Sequence, residues 1–175
     1  MEHKHWPHPA KAVTIKEVEN HEKATISAYT DGSKCQRGVG SGVLIFKGSD
    51  IIARQKLKLK DRCSKKQAEQ SAINKALEEI ELLNRHSISP LTAIIYTESR
   101  VSLDSLHNPN SHAFLVEEIR RNVASLERSE WRIILSWVKA HAGTCGNGIA
   151  DRLAKEAARS EGTMYVFARI PKSTI

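Results

Sequence analysis

Apolar and polar positions first fall into a regular pattern at residue 24. Over residues 24–32, Ile26, Ala28 and Thr30 alternate with Thr25, Ser27 and Tyr29, the period of a half-buried strand. The run closes on Asp31-Gly32-Ser33, which is turn chemistry, so Asp31 is expected where strand gives way to loop. Residues 42–47 read as a second strand, Gly48-Ser49-Asp50 as a turn, and 51–60 as a third strand. In its later half Leu57 and Leu59 alternate with Lys56, Lys58 and Lys60, which places those lysines on a solvent face, guarding an edge. Ser64 is a good N-cap, and Ala68, Ile73, Ala76, Leu77, Ile80 and Leu83 form the apolar stripe of a helix that ends at Asn84 to Pro90. Residues 91–97 read as a buried strand, 99–106 as a short helix and 112–128 as a long one. A fifth strand over 131–138 and a last helix over 147–160 complete the pattern.

Three strands followed by helix, strand, two helices, strand and helix make an α/β plan. The fold class expected is a five-stranded mixed sheet flanked by helices. Hairpins pair the first three strands antiparallel, and helical crossovers make the first, fourth and fifth parallel. Residues 1–23, with Pro7, Pro9 and four histidines, are expected as a flexible N-terminal extension, 24–160 as the domain, and 161–175 as a tail or linker. Glycines 38, 40 and 42 permit close approach of a ligand or a neighbouring strand, and equally suit a plain hairpin connection.

Charge changes this picture modestly. A net charge of +7 is consistent with an anionic partner such as a phosphate backbone, although charge alone bears more on solubility than on any site. Three widely spaced cysteines fit a reducing compartment and give neither a disulfide framework nor a zinc pattern. The apolar runs are too short to span a bilayer, and no secretory leader opens the chain, so an intracellular protein without membrane contact is expected.

Four carboxylates stand in ordered settings. Asp31 closes the first strand, Glu98 follows the buried strand at its C-terminal end, Glu69 lies in the second turn of a helix, and Asp151 lies in the first turn of the last one. In open sheets, ligands gather at the carboxyl ends of parallel strands, where Asp31 and Glu98 both fall. Each acid also has a plainer reading: Asp31 as an Asx turn, Glu69 as a solvated helical glutamate, Asp151 as a complement to the helix dipole.

Five stretches together resemble the type I ribonuclease H family. They are Tyr29-Thr30-Asp31-Gly32-Ser33, Gln67-Ala68-Glu69-Gln70-Ser71-Ala72-Ile73, Tyr96-Thr97-Glu98-Ser99, Lys139-Ala140-His141-Ala142-Gly143 and Gly146-Asn147-Gly148-Ile149-Ala150-Asp151-Arg152-Leu153-Ala154. The likeness spans roughly residues 24–160 in family order, and its wording is most similar to the domain carried by non-LTR retrotransposon reverse transcriptase polyproteins. Arg169-Ile170-Pro171-Lys172-Ser173-Thr174 also looks like sequence running on into a longer polyprotein.

The resemblance implies an endoribonuclease that hydrolyses the RNA strand of an RNA–DNA hybrid with two Mg2+ ions, Mn2+ being a possible substitute. It implies Asp31 bridging both ions, Glu69 and Glu98 with the leaving-group metal, Asp151 with the water-activating metal, and His141 moving protons or releasing product. Gly32, Ser33, Ser64, Gln67 and Arg100 are the implied substrate contacts. Lys65, Lys66 and Arg100 stand where the family often has Asn or Gln, so phosphate contact is expected to replace finer readout. Only His107 to Ser111 separates the two middle helices, so the extra basic handle helix of cellular relatives is expected to be absent. The implied partners are the hybrid and other domains of a parent polyprotein, and the isolated domain is expected to be a monomer. Two positions depart from the family: Glu98 stands where Asp is usual, and Gly148 where a supporting Glu is frequent. They keep open a slow enzyme, or a catalytically weakened module that binds hybrid or serves a structural role.

Overall fold

The computed structural model describes residues 8–17, 24–83, 91–139 and 145–161. The elements run α1 (Pro9–Ala12), β1 (Thr14–Ile15), β2 (Ile26–Cys35), β3 (Gly38–Lys47), β4 (Asp50–Leu59), α2 (Lys65–Leu83), β5 (Leu91–Thr97), α3 (Arg100–His107), α4 (Phe114–Arg128), β6 (Trp131–Trp137) and α5 (Cys145–Arg159). They build a mixed sheet of order β1-β6-β5-β2-β3-β4. β2, β5, β6 and β1 are parallel, while β3 and β4 are antiparallel additions on the other side of β2.

The expected α/β plan with parallel central strands is therefore present, with six strands instead of five. The added strand comes from residues expected to be an irregular extension. The N–H of Lys16 donates to the Leu135 carbonyl at 3.0 Å, and the His107 ring Nε2 donates to the Val13 carbonyl at 2.8 Å. Ahead of it, the His8 ring accepts the Ala10 N–H at 3.1 Å and caps α1, with Pro9 in the first helical turn where a missing N–H costs nothing. Two-residue strands leave almost no periodic signal, which is why the pattern missed this one. Residues 162–175, the expected tail, lie outside the described residues.

One face of the sheet carries the main core. Ile26, Ala28, Val43, Ile45, Ala93, Ile95, Ile133 and Leu135 meet Ala72, Ile73, Ala76, Leu77 and Ile80 of α2 and Val116, Ile119, Val123 and Leu126 of α4. The other face takes α5, which lies against β3, β2 and β4. Two expectations change here. The stretch 33–42 is a continuous hairpin turning at Gln36-Arg37, so Asp31 sits inside a long strand, paired with Gly42. Lys58, expected on a solvent face, is buried, and its ammonium donates to the Ala158 carbonyl at 2.6 Å and the Arg37 carbonyl at 3.3 Å. A cation at the Ala158 carbonyl, in the last turn of α5, suits the helix dipole as well as that carbonyl's unmet hydrogen-bonding capacity.

No handle helix separates α3 from α4. Instead the buried Arg120 guanidinium gathers the carbonyls of Ser105, Leu106, Asn108 and Ser111 at 2.7–3.2 Å. Arg120 thereby satisfies the end of α3 and fixes a short turn into α4, and its planar fork of donors matches that task.

Candidate active site

Asp31 is positioned by strand pairing and then surrounded from both faces of the sheet. Thr30 and Thr97 form the last rung between β2 and β5, so Asp31 and Glu98 are the next residues on adjacent parallel strands. Beyond that rung β2 continues only in its hairpin with β3. Asp31 and its partner Gly42 point to the α5 face, as side chains of directly paired residues do. A Cβ on Gly42 would collide with the Ala150 carbonyl and stand 2.6 Å from the Ala154 nitrogen, so glycine lets α5 lie directly on the sheet. Asp151, next in α5, is thereby brought beside Asp31.

Gly32 and Ser41 point to the opposite face. A Cβ on Gly32 would stand 2.5 Å from the Glu69 nitrogen, and the Ser41 hydroxyl donates to the Ala68 carbonyl at 2.6 Å. The first turns of α2 are thus pressed onto the same rung from behind, which brings half-buried Glu69 to the strand that carries Asp31.

Asp31 lies within electrostatic reach of both Asp151 and Glu98. Burial is the largest influence on Asp31 and pushes its carboxyl up, to about 7 from 3.8; the Gly32 N–H, donating to Oδ1 at 2.8 Å, opposes this. The negative charges of Glu98 and Asp151, and a hydrogen bond with the Asp151 side chain, raise it further. Asp151 also takes the Lys155 ammonium on Oδ2 at 2.8 Å. Glu98 lies between the end of β5 and the cap of α3, where Ser99 Oγ accepts the Ser102 N–H at 3.2 Å. The Trp137 indole N–H donates to the Glu98 carbonyl at 3.2 Å.

This donor set is all hard oxygen, suited to a magnesium-like cation, which keeps several waters and takes only one or two carboxylates. Among the described residues, however, no group of three or more His, Cys, Asp and Glu side chains is arranged to hold a metal ion. The fit is therefore that of a carboxylate pair, Asp31 and Asp151, with Glu98 within electrostatic reach. His141 lies outside the described residues.

The expected substrate contacts fall in different settings. Gly32 offers its N–H to Asp31, and Ser33 beside it is half-buried. Ser64 and Gln67 hold each other in a capping box: the Gln67 N–H donates to Ser64 Oγ at 3.0 Å and the Ser64 N–H to Gln67 Oε1 at 2.9 Å. Lys65 and Lys66 are exposed beside them. Arg100, exposed at the start of α3, lies over the Trp137 ring with 4.1 Å to the centroid, and 3.5 Å from the Glu17 carboxylate.

Two features escaped the pattern reading. Tyr29 and Tyr96 stack at 4.8 Å beside the acids, and Gly146 lies so close that a Cβ there would reach within 2.6 Å of the Tyr29 ring. Their signal was available: Tyr-Thr-acid occurs at 29–31 and again at 96–98, and the two tripeptides lie in register on β2 and β5. Trp137, the last residue of β6, carried no such signal.

The family model described as RNase H matches residues 22–159. The chain belongs to the RNase H family. It is a ribonuclease H by that membership, and its mixed sheet flanked by helices is the family's fold. Among solved structures it is similar to the protease–reverse transcriptase of prototype foamy virus, with TM-score 0.65, 17% identity, and coverage of 82% of this chain and 22% of that one. It is also similar to RNase H1 of the halophilic archaeon Halobacterium salinarum NRC-1, with TM-score 0.56, 20% identity, and coverage of 75% and 96%. The chain thus spans about a fifth of the foamy virus chain and nearly all of the archaeal one. A comparison with curated protein sequences finds no match.

Proposed function

We propose that this domain hydrolyses the RNA strand of RNA–DNA hybrids with two divalent cations, Mg2+ or Mn2+, as part of a retroelement reverse transcriptase of the non-LTR type. The observation that supports it most is Asp31: a buried carboxyl, hydrogen-bonded to Asp151 and beside Glu98, at the carboxyl end of the central parallel strands. Such concentrated negative charge is unfavourable unless a proton or a cation joins it. Bound divalent cations would supply Lewis acidity, activating a water and taking charge from the leaving oxygen.

The chain's own residues have separable tasks in this reading. The Gly32 N–H fixes Asp31 Oδ1, and the other oxygen would be available to a bound cation. Asp31, Asp151, Glu69 and Glu98 would hold the cations that activate water and take charge from the leaving oxygen, and His141 would move a proton. Gly32, Ser33, Ser64, Gln67 and Arg100 flank the hybrid, with Lys65 and Lys66 on its phosphates. The isolated domain would be a monomer, and inside the cell it would be joined to other domains of a parent polyprotein. The similarity to a segment of a viral protease–reverse transcriptase supports that context.

A weakened, hybrid-binding module is the second reading. Gly148 is exposed with nothing within 4 Å of an added Cβ, so the position that would carry a supporting acid is empty of side chain. A labelled-hybrid cleavage assay decides, run in Mg2+ and in Mn2+ with single-stranded and duplex controls and Asp31→Asn beside the wild type. Cleavage of the RNA strand by wild type alone upholds the nuclease. Hybrid binding without cleavage in either metal leaves the module.

A further inference from the structure

We infer that Trp137 is a positioning residue serving two site groups at once, the metal-side acid Glu98 and the substrate-side cation Arg100; this rests on the nuclease reading above. Two contacts from opposite parts of one side chain carry the inference. The indole N–H donates to the Glu98 carbonyl at 3.2 Å, and the indole face lies under the Arg100 guanidinium at 4.1 Å. Both targets lie just past β5, where the ladder between β5 and β6 ends at the rung Thr97↔Trp137. Beyond that rung the backbone at Glu98 has, among the described residues, no strand neighbour on the β6 side, and the Val138 N–H reaches back to the Thr97 carbonyl, at 2.9 Å. The indole N–H reaches past the last rung and donates to the backbone there.

This bears on the departure at Glu98. A glutamate has one more rotatable bond than an aspartate, so its carboxylate spreads over more positions from the same backbone. A fixed carbonyl removes the backbone share of that spread. The same ring restrains Arg100, whose other described partner, Glu17, is an exposed carboxylate at 3.5 Å on the segment that follows β1. Stacking keeps the guanidinium edges open for hydrogen bonds, as an arginine that meets phosphate requires. Trp137 thus couples the acid's placement to the cation's placement across a single side chain.

The two contacts separate by substitution. Trp137→Phe keeps a ring under Arg100 and removes the donor to Glu98. Trp137→Leu removes both. Mn2+ uptake by the full chain is followed by calorimetry, and binding of a fluorescent hybrid by anisotropy in Ca2+, with circular dichroism to confirm folding. We expect Trp137→Phe to weaken Mn2+ uptake by about fivefold, the size of one ordinary hydrogen bond, with hybrid binding within about twofold of wild type. Trp137→Leu weakens both, and adding Arg100→Ala to it weakens hybrid binding no further. Where wild type cleaves, kcat falls in Trp137→Phe while KM holds. Unchanged Mn2+ uptake in Trp137→Phe, or additive losses in the Leu and Ala pair, overturns this inference and leaves the nuclease reading intact. A wild type that binds hybrid and takes up no cation overturns both.

Discussion

At the scale of single residues, Asp31 sets the behaviour of the site without metal. Its carboxyl titrates near 7 in the fold and near 3.8 otherwise, because burial and two neighbouring acids disfavour the charge. Well below pH 3.8 both states are protonated and the group costs nothing. As pH rises the unfolded chain ionises first, so stability is lost progressively until the folded carboxyl ionises near 7. Asn cannot ionise and resembles the protonated acid. Urea unfolding should therefore find the advantage of Asp31→Asn over wild type small near pH 4 and grown by pH 8 to on the order of 3 kcal/mol. Saturating Mg2+ should close that gap by raising wild type alone; a gap independent of pH would refute the assignment. The departures at Glu98 and Gly148 belong to the same scale. Moving a ligand by about an ångström costs on the order of 100-fold in rate, so Glu98→Asp should accelerate hybrid cleavage in Mg2+. Gly148→Glu has room for its side chain and should tighten metal uptake. Equal rates for wild type and Glu98→Asp would show that the glutamate is already well placed.

At the scale of elements, the site exists because two helices come unusually close to one strand pair. Gly42 and Gly40 share a face of β3, and a Cβ on Gly40 would stand 2.6 Å from the Ala154 carbonyl. The opposing atoms belong to helix backbone and cannot turn aside. Gly42→Ala must therefore displace α5, at a cost of about 1–3 kcal/mol, and carry Asp151 away from Asp31. Gly148→Ala, on the open side of the same helix, should be neutral or stabilising by up to about 1 kcal/mol. Comparing melting temperatures and hybrid cleavage of the two variants tests this; equal stability would mean that α5 has slack. The turn from α3 to α4 depends on one residue in the same way. Arg120→Ala strips four carbonyls of their donor and should cost about 3 kcal/mol or more, and Lys should not restore it, since a point charge lacks the fork. Most of these elements were legible in the sequence, since helices and strands of seven residues or more leave a full period of apolar positions. What stayed hidden was set by partners distant in the chain. Lys58 reads as solvated in its strand, yet α5 arrives to use its ammonium. Asp31 reads as a turn residue, yet β3 extends its strand by pairing through Cys35. Glu69, Glu98 and Asp151 were legible as candidates through family wording, whereas Trp137 acts through contacts that no local pattern announces.

At the scale of the whole molecule, grip on a hybrid must come from charge spread over a surface. The short turn held by Arg120 leaves no handle helix, and the chain carries a net charge of +7. Lys60, Arg62, Lys65 and Lys66 are exposed together where β4 passes into α2, and α2 then runs on to Glu69. Cations on phosphates release counterions from the nucleic acid, so binding should weaken steeply as salt is raised. Removing a phosphate contact lowers affinity and also flattens that dependence, while removing a contact to the sugar hydroxyl changes preference and leaves the slope alone. Lys65→Ala with Lys66→Ala should accordingly weaken hybrid and duplex DNA by the same factor. It should reduce the log–log salt slope by roughly 2, about one for each lysine. Anisotropy titrations over a series of salt concentrations measure both quantities in one experiment. If the double variant lost hybrid binding selectively and kept its slope, the two lysines would be reading the RNA strand and not its charge.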